Sequence, residues 1–202
     1  MRRFLLTATL VLLMAIHAAA DKPKFTSSWR SPDASGVSFA GKKVAALVIT
    51  SDENLRVSGE EELARQLATR GIQGVPTYRI APREELSSAE RARPWFERTG
   101  VEGVVALRPV SRDVTYTPAV WTSTSYSNWW GYYGYGWTTV IDLSGPRTDT
   151  TVVIETVIYS VTKDRLLWGG VSTTTNPKDT PTFLKDLVAE AVKEMQKRGL
   201  IK

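Results

Sequence analysis

Two adjacent carboxylates, Asp52 and Glu53, are the side chains whose type and position best suit acid–base or cation-binding chemistry. They follow the apolar run at residues 43–50, which is typical of a strand buried on both faces. In open α/β sheets, ligands bind beyond the carboxyl ends of such strands. Neighbouring acids are also common in solvated loops, and this segment has no glycine-rich phosphate cradle. We therefore favour a solvated loop that leads into a helix, and we keep Asp52 and Glu53 as a secondary candidate for a ligand-binding site.

The range of possible catalytic side chains is narrow, because the sequence has no cysteine and a single histidine, His17. Residues 1–20 have a positively charged start, a short apolar run and small residues at the end. This is the pattern of a secretory signal peptide, here cleaved after Ala20. The remaining chain contains neither imidazole nor thiol, which excludes Ser-His-Asp and Cys-His nucleophiles and zinc sites built on His or Cys. We predict a non-enzymatic protein without metal or cofactor.

Export through this segment predicts a periplasmic or secreted protein. The apolar run at residues 4–16 would rise about 20 Å as a helix, short of a bilayer core of about 30 Å, so cleavage is favoured over a retained anchor. No cysteine follows the run, and we expect no lipid anchor. Loss of Arg2 and Arg3 lowers the net charge from +5 to +3, with 24 Lys and Arg against 21 Asp and Glu. This mild charge argues against nucleic acid as a partner.

The most unusual segment lies at residues 126–137, where seven of twelve residues are aromatic and three are glycine. Glycine weakens regular structure. We therefore predict an aromatic, glycine-rich loop at residues 118–138 between two strands. The candidate partner-binding residues are the seven rings of this segment, Tyr126, Trp129, Trp130, Tyr132, Tyr133, Tyr135 and Trp137.

Three interpretations of this aromatic segment stay open. The rings fold back and cover one end of the sheet, or they contact another protein or a second copy of the chain, because Trp and Tyr dominate interface hot spots. In the third interpretation they lie at a membrane interface or stack on a glycan. Nucleic acid would also need a basic groove, and residues 114–146 contain no Lys or Arg.

The elements that would position these side chains follow from apolar periodicity and turn residues. Capping-box patterns at Ser58 with Glu61 and at Ser87 with Glu90 predict the starts of two helices. Strands are predicted at residues 43–50, 72–80, 101–110, 138–143, 150–161 and 166–175.

A third helix is predicted to begin at Thr180, a suitable N-cap, with Pro181 in its first turn. Apolar residues repeat along one face of this helix. Glu155 lies within the β-branched run at residues 150–161, at an alternation that predicts an outward-facing side chain.

This order of elements predicts an α+β fold with an α/β-type first half, in which crossover helices join parallel strands. We expect a single mixed β-sheet of five to six strands with helices mainly on one face, in the order β-α-β-α-β-β-β-β-α. Residues 41–202 would form this single globular domain. Residues 21–40 precede it as an extended amino-terminal arm, because their composition is typical of a loop.

Five segments together carry a family resemblance. They are the strand at 44–49, the helix start at Ser58 and Glu61, and the segments at 100–104, 132–137 and 167–170. Over roughly residues 40–200 they resemble a group of small, uncharacterised bacterial envelope proteins, which are often lipoproteins. The element order is more distantly similar to the curli secretion lipoprotein, the penicillin-binding-protein activator lipoproteins and the amino-terminal domain of the Tol translocation protein.

The resemblance implies a non-enzymatic role in the cell envelope through protein contacts, and it brings no catalytic residues. Those relatives usually carry a lipid anchor, whereas this chain has no cysteine to hold one. We predict a periplasmic or cell-envelope binding or assembly accessory protein whose aromatic loop meets an envelope protein or a second copy of itself. The alternatives are a carboxylate-dependent hydrolase that uses Asp52 and Glu53, and a structural subunit of a homo-oligomer.

Overall fold

A computed structural model describes residues 22–111, 121–141, 151–177 and 179–201 of the chain. The predicted signal peptide, His17 and residues 118–120 of the predicted loop lie outside these ranges, so their structure stays a prediction. Within the described ranges, no helix is both long enough and apolar enough to cross a membrane.

A six-stranded mixed sheet forms the centre of the fold, in the order β1-β6-β5-β4-β2-β3. Its strands are β1 (Lys24–Arg30), β2 (Lys43–Val48), β3 (Gln73–Pro76), β4 (Gly103–Ser111), β5 (Thr151–Ser160) and β6 (Arg165–Thr175). Strand β2 is parallel to β3 and β4, and the other neighbouring pairs are antiparallel. The predicted α+β class with a single mixed sheet is confirmed.

The central strands are apolar at nearly every position because both faces of the sheet are covered. Side chains from Val44 to Val48 in β2 and from Val104 to Leu107 in β4 are at most 3% exposed. Four predicted strands therefore agree with the observed ones to within two residues, namely those at 43–50, 101–110, 150–161 and 166–175. Strand β3 is much shorter than predicted because Thr77–Arg79 forms a 3-10 turn directly after Pro76.

Five helices lie within the described ranges of the chain. They are α1 (Glu53–Ala68), α2 (Arg83–Leu86), α3 (Ala89–Thr99), α4 (Trp129–Thr138) and α5 (Thr180–Lys197). Helices α1 and α5 pack on one face with an aliphatic core, and α3 and α4 pack on the other face with an aromatic core. The prediction of helices mainly on one face is therefore wrong, since the aromatic segment supplies a helix of its own on the second face.

The helix starts differ from the predicted ones in their caps. Helix α1 begins six residues earlier than predicted, because Asp52 and not Ser58 is its N-cap. Ser88, rather than Ser87, precedes α3, and Asp179, rather than Thr180, caps α5. In each case the prediction found the helix and missed the cap.

Two segments depart from the predicted order of elements. Strand β1 forms within the predicted arm and pairs antiparallel with β6, where the ring of Phe25 meets that of Trp168 edge-on at 5.2 Å. The strand predicted at 138–143 is absent as far as the structure describes it, because Thr138 ends α4 and residues 139–141 are not extended.

Candidate functional site

Most of the aromatic segment forms helix α4, which begins at Trp129 and ends at Thr138, so the loop predicted at 118–138 is wrong over these residues. Asn128 caps the helix by accepting a hydrogen bond from the amide of Gly131 at 2.7 Å. The amide of Trp129 donates to a carboxylate oxygen of Asp164 at 2.9 Å, which ties the first turn to the β5–β6 turn. Three glycines count against a helix in isolation, but packing of the large rings overrides that propensity.

Burial divides the seven candidate rings into two groups. The rings of Trp130, Tyr135 and Trp137 are half-buried and keep surface that a partner can touch. The other four are at most 3% exposed and fill the core between α4 and the sheet, as in the first interpretation: Tyr126, Trp129, Tyr132 and Tyr133.

The buried rings pack edge-on or stacked against each other and against the neighbouring elements. Trp129 and Tyr133 meet edge-on at 5.2 Å, and Tyr132 stacks on Tyr159 of β5 at 5.4 Å. Phe96 of α3 lies 5.6 Å from the half-buried Trp130. Such ring pairs each add about 0.5–1.5 kcal/mol beyond the area they bury, so this layer is held by specific geometry.

A buried ion pair lies beneath α4. Both Nε and Nη2 of Arg108 donate to one carboxylate oxygen of Glu155, at 3.0 and 2.9 Å, and neither side chain is more than 3% exposed. The hydroxyls of Tyr126 and Tyr132 also donate to Glu155. The predicted outward position of Glu155 is wrong, because the face of the sheet on which it lies is covered by α4.

The surrounding tyrosines stay protonated and act as donors. Burial, with the charge of Glu155 second, raises the pKa of the Tyr126 and Tyr132 phenols far above the ordinary value. Burial alone would lower the pKa of Arg108, but the charge of the paired Glu155 carboxylate opposes this effect and the net shift is upward. A network this deep inside the protein specifies packing and offers no substrate access.

Arginines of α3 lie over tryptophan rings on the outer side of this layer. The guanidinium of Arg93 lies 4.9 Å from the ring centre of Trp130, and that of Arg98 lies 4.4 Å from the ring centre of Trp95. Both arginines are exposed and both rings are half-buried. The two arginines are five residues apart, which is about 140° of rotation around α3, so the pairs are two patches of one exposed side. We call these four residues together the arginine–tryptophan surface. Sequence reasoning missed it, because the contact between α3 and α4 depends on α4 being a helix.

The structure separates the two predicted ligand-binding carboxylates. Asp52 accepts a hydrogen bond from the amide of Leu55 at 3.1 Å, as the cap of α1. Glu53 forms ion pairs with Arg56 at 2.5 Å and with Arg83 at 2.9 Å, and the hydrogen bond from Arg56 is the main cause of its lowered pKa. A carboxylate held in its charged form this way is poorly suited to act as a general acid.

Asp52 nevertheless lies at the mouth of a cavity of about 190 Å³ between the first turns of α1 and α5. The cavity opens at the carboxyl ends of β2 and β4, where ligands bind in open α/β sheets. Asp179 and Thr180 share its rim, and Glu53 does not line it. The apolar wall consists mainly of Leu55, Leu107, Val152, Ile154, Phe183, Leu184 and Leu187.

A third acid, Glu60, is fully buried on the inner side of α1. It accepts hydrogen bonds from the amides of Val48 and Tyr78, at 3.2 and 2.9 Å, and from the hydroxyl of Thr77 at 2.5 Å. Burial raises the pKa of its carboxyl to about 7, against the effect of these hydrogen bonds. The burial of Glu60 could have been predicted from the sequence by its spacing. Position 60 falls on the buried stripe of α1 that continues at Leu63 and Leu67.

Within the described ranges, His, Asp and Glu side chains form no group of three or more that could hold a metal ion. Three acids that could serve in catalysis each already have a structural partner. Asp52 caps α1, Glu53 pairs with two arginines, and Glu155 pairs with Arg108. Two accessible candidates for recognition among the described residues are therefore the arginine–tryptophan surface and the apolar cavity.

Neither the protein-family models nor the curated proteins contain a match to this chain. Its element arrangement is similar to that of a PelC dodecamer subunit from Paraburkholderia phytofirmans, with 15% identity, a TM-score of 0.45, and coverage of 83% of this chain and 93% of that chain. Lipoprotein GNA1162 from Neisseria meningitidis is 13% identical, with a TM-score of 0.39 and coverage of 80% and 99%. Likeness at this level carries no information on function.

Proposed function

We propose that this protein is an exported, non-enzymatic accessory protein of the cell envelope that binds a partner through the outer surface of α3 and α4. The observation that carries the proposal is the placement of two exposed arginines over two half-buried tryptophans. The signal-peptide pattern at residues 1–20 supports export.

The arginine–tryptophan surface has the composition of an interface hot spot. Trp, Tyr and Arg are the residue types that contribute most when an interface is truncated residue by residue. The half-buried Trp137 lies two turns after Trp130 on the same side of α4 and extends the accessible aromatic area. An arginine already held over a ring loses less side-chain freedom when a partner binds than a freely moving one does.

The two alternative functions make different demands on the molecule. A hydrolase that used Asp52 and Glu53 would need both acids at one cleft, and only Asp52 lines the cavity. A homo-oligomer subunit could use the same arginine–tryptophan surface for self-contact. The experiment therefore has to separate self-association from binding of another protein.

Charge reversal tests the proposal without disturbing the core. The variant carries Arg93→Glu and Arg98→Glu in the mature protein. The matched control carries Lys185→Glu and Lys193→Glu on the exposed side of α5, with the same change in net charge. Each protein is used for affinity capture from a native envelope extract, and its mass is measured by light scattering.

We expect the wild-type protein and the control to capture the same envelope protein, and the Arg93→Glu, Arg98→Glu variant to capture at least about tenfold less, as for loss of a hot spot. Equal capture by all three proteins would exclude this surface as the contact. If the wild-type chain is an oligomer and only the arginine variant is a monomer, the surface is a self-association interface, and the accessory function is wrong.

A further inference from the structure

We infer that the cavity between α1 and α5 binds a small amphiphilic cation, with an alkyl chain or ring of about six to eight carbons inside and a protonated amine between Asp52 and Asp179. This site lies on the opposite face of the sheet from the arginine–tryptophan surface. The inference is therefore independent of the proposed function.

The size and lining of the cavity determine the apolar part of the ligand. An apolar cavity of about 150 Å³ in another protein stays dry and binds benzene, and this cavity measures about 190 Å³. Its wall is built from buried Leu, Ile and Val side chains of β4, β5, α1 and α5, of which Leu107 and Leu187 are 1% exposed. A chain of about six carbons fits this space without an unpaired polar group.

The polar rim determines the sign of the head group. Each acid is the N-cap of its helix, since Asp52 accepts from the amide of Leu55 and Asp179 accepts from that of Thr182, at 3.1 and 2.9 Å, which fixes both carboxylates at the rim of the cavity. Among the described residues that line the cavity, two are acids and none is a base. A carboxylate or phosphate head would therefore be repelled, whereas an ammonium group is attracted.

Three probes with the same six-carbon chain test the inference at pH 7, namely n-hexylammonium, n-hexanol and hexanoate. Binding to the mature protein is followed by methyl NMR and by calorimetry. We expect the methyl signals of Leu55, Val152 and Leu184 to shift. Hexylammonium should bind about five- to tenfold more tightly than hexanol, the contribution of one or two exposed ionic contacts, and hexanoate more weakly than both.

Variants separate the two parts of the site. Asp52→Asn with Asp179→Asn keeps both helix caps, since Asn is also a good N-cap, and should remove the preference for the amine while hexanol still binds. Glu90→Gln with Glu97→Gln, a control with the same charge change on the exposed side of α3, should leave the preference intact. Val152→Phe places a larger side chain in the cavity wall and should abolish binding of all three probes.

The outcomes are decisive in both directions. Absence of shifts at the cavity methyls with every probe would overturn the site. Equal affinities for the three probes, or an amine preference that survives in the double Asn variant, would overturn the assignment of the head group. Retention of binding in a folded Val152→Phe variant would also overturn the site, since the probe would have to lie elsewhere.

Discussion

The layer formed by α1 and α5 is held mainly by aliphatic side chains, whereas the layer formed by α3 and α4 is held by aromatic rings around a buried ion pair. The first layer includes Leu63, Leu67, Leu187 and Val188, and it leaves a cavity of about 190 Å³. The second is built around Trp129 and two tyrosines. The Tyr132 hydroxyl donates to Glu155, and the Tyr133 hydroxyl donates to the carbonyl of Leu86.

The two layers therefore differ in how strictly their side-chain contacts fix the packing against the sheet. Aliphatic contacts are non-directional, so α1 and α5 can leave space at one end and still stabilise the sheet. Phenols that donate to one carboxylate must be placed within tenths of an ångström, and a partly satisfied network is costly. We therefore expect the aromatic layer to tolerate substitution less well than the aliphatic layer.

The sharpest way to break the aromatic layer is to remove the carboxylate at its centre. Glu155→Leu leaves the Arg108 guanidinium buried without its partner and two phenols without their acceptor, and should lower the free energy of unfolding by about 3–5 kcal/mol. Glu155→Gln keeps one acceptor oxygen and should cost clearly less. Urea denaturation with circular dichroism measures both changes. Equal losses for the two variants would contradict a role for the carboxylate as acceptor.

Glu60 is the polar exception in the aliphatic layer, and its effect depends on pH. Its pKa is raised from 4.5 to about 7 by burial, so the folded state holds its proton where the unfolded state has lost it. The stability from this group is fully present below about pH 4.5 and is lost as the pH rises through about 7. The expected decrease in the free energy of unfolding is about 3 kcal/mol.

Glu60→Gln isolates this contribution, because the amide does not titrate. The variant has a constant cost, since its NH₂ group must face the amide of Val48 or that of Tyr78. The difference in stability between wild type and variant should therefore change by about 3 kcal/mol between pH 4.5 and 7.5. Parallel stability curves over that interval, measured by urea denaturation, would show that Glu60 titrates at its ordinary pKa.

Helix caps offer a matched test with one variant in each layer. Asp52→Ala removes the cap of α1 and Asn128→Ala removes the cap of α4, and each should lower the free energy of unfolding by about 1 kcal/mol. Ser58→Ala, in the exposed interior of α1, should change it by less than about 0.5 kcal/mol. A larger loss for Ser58→Ala than for Asp52→Ala would restore the capping box predicted from the sequence.

Sequence reasoning worked where periodicity and burial agree. The runs at Val44–Val48 and Val104–Leu107 predict buried strands because only strands covered on both faces are apolar without interruption. The α5 stripe predicts a helix for the same physical reason. Asp52 was also found, because it directly follows a strand end, although its role as a cap was not.

The predictions from sequence failed where the conformation or burial of a residue depends on an element that is far away along the chain. Helix α4 has no polar face to reveal its period, and its glycines count against a helix, so only contacts with Phe96 and Tyr159 explain its conformation. The alternation at Glu155 placed that residue on the correct face of β5, but whether the face is solvated depends on α4. The cavity likewise joins α1 to α5, which are more than a hundred residues apart.

The smallest predicted effect is a difference in stability between alanine substitutions at two glycines of α4, Gly134 and Gly136. A Cβ at Gly134 would meet only the Cβ of Ala89, at 3.9 Å, which is ordinary contact. A Cβ at Gly136 would lie 2.7 Å from the Cδ1 of Ile49, a fully buried side chain. Gly134→Ala should therefore raise the free energy of unfolding by about 0.5–1 kcal/mol by lowering the entropy of the unfolded chain, and Gly136→Ala should lower it.

Thermal unfolding measures both, with a shift of roughly 2–4 °C expected for each kcal/mol in a chain of this size. If Gly134→Ala also destabilises the protein, then α4 requires glycine along its outer side as well, and the layer is more tightly specified than its contacts indicate. If both variants are stabilising, Ile49 has moved aside, and the aromatic layer adjusts its packing as readily as the aliphatic one. Opposite signs would show that glycine serves packing only where α4 meets the sheet.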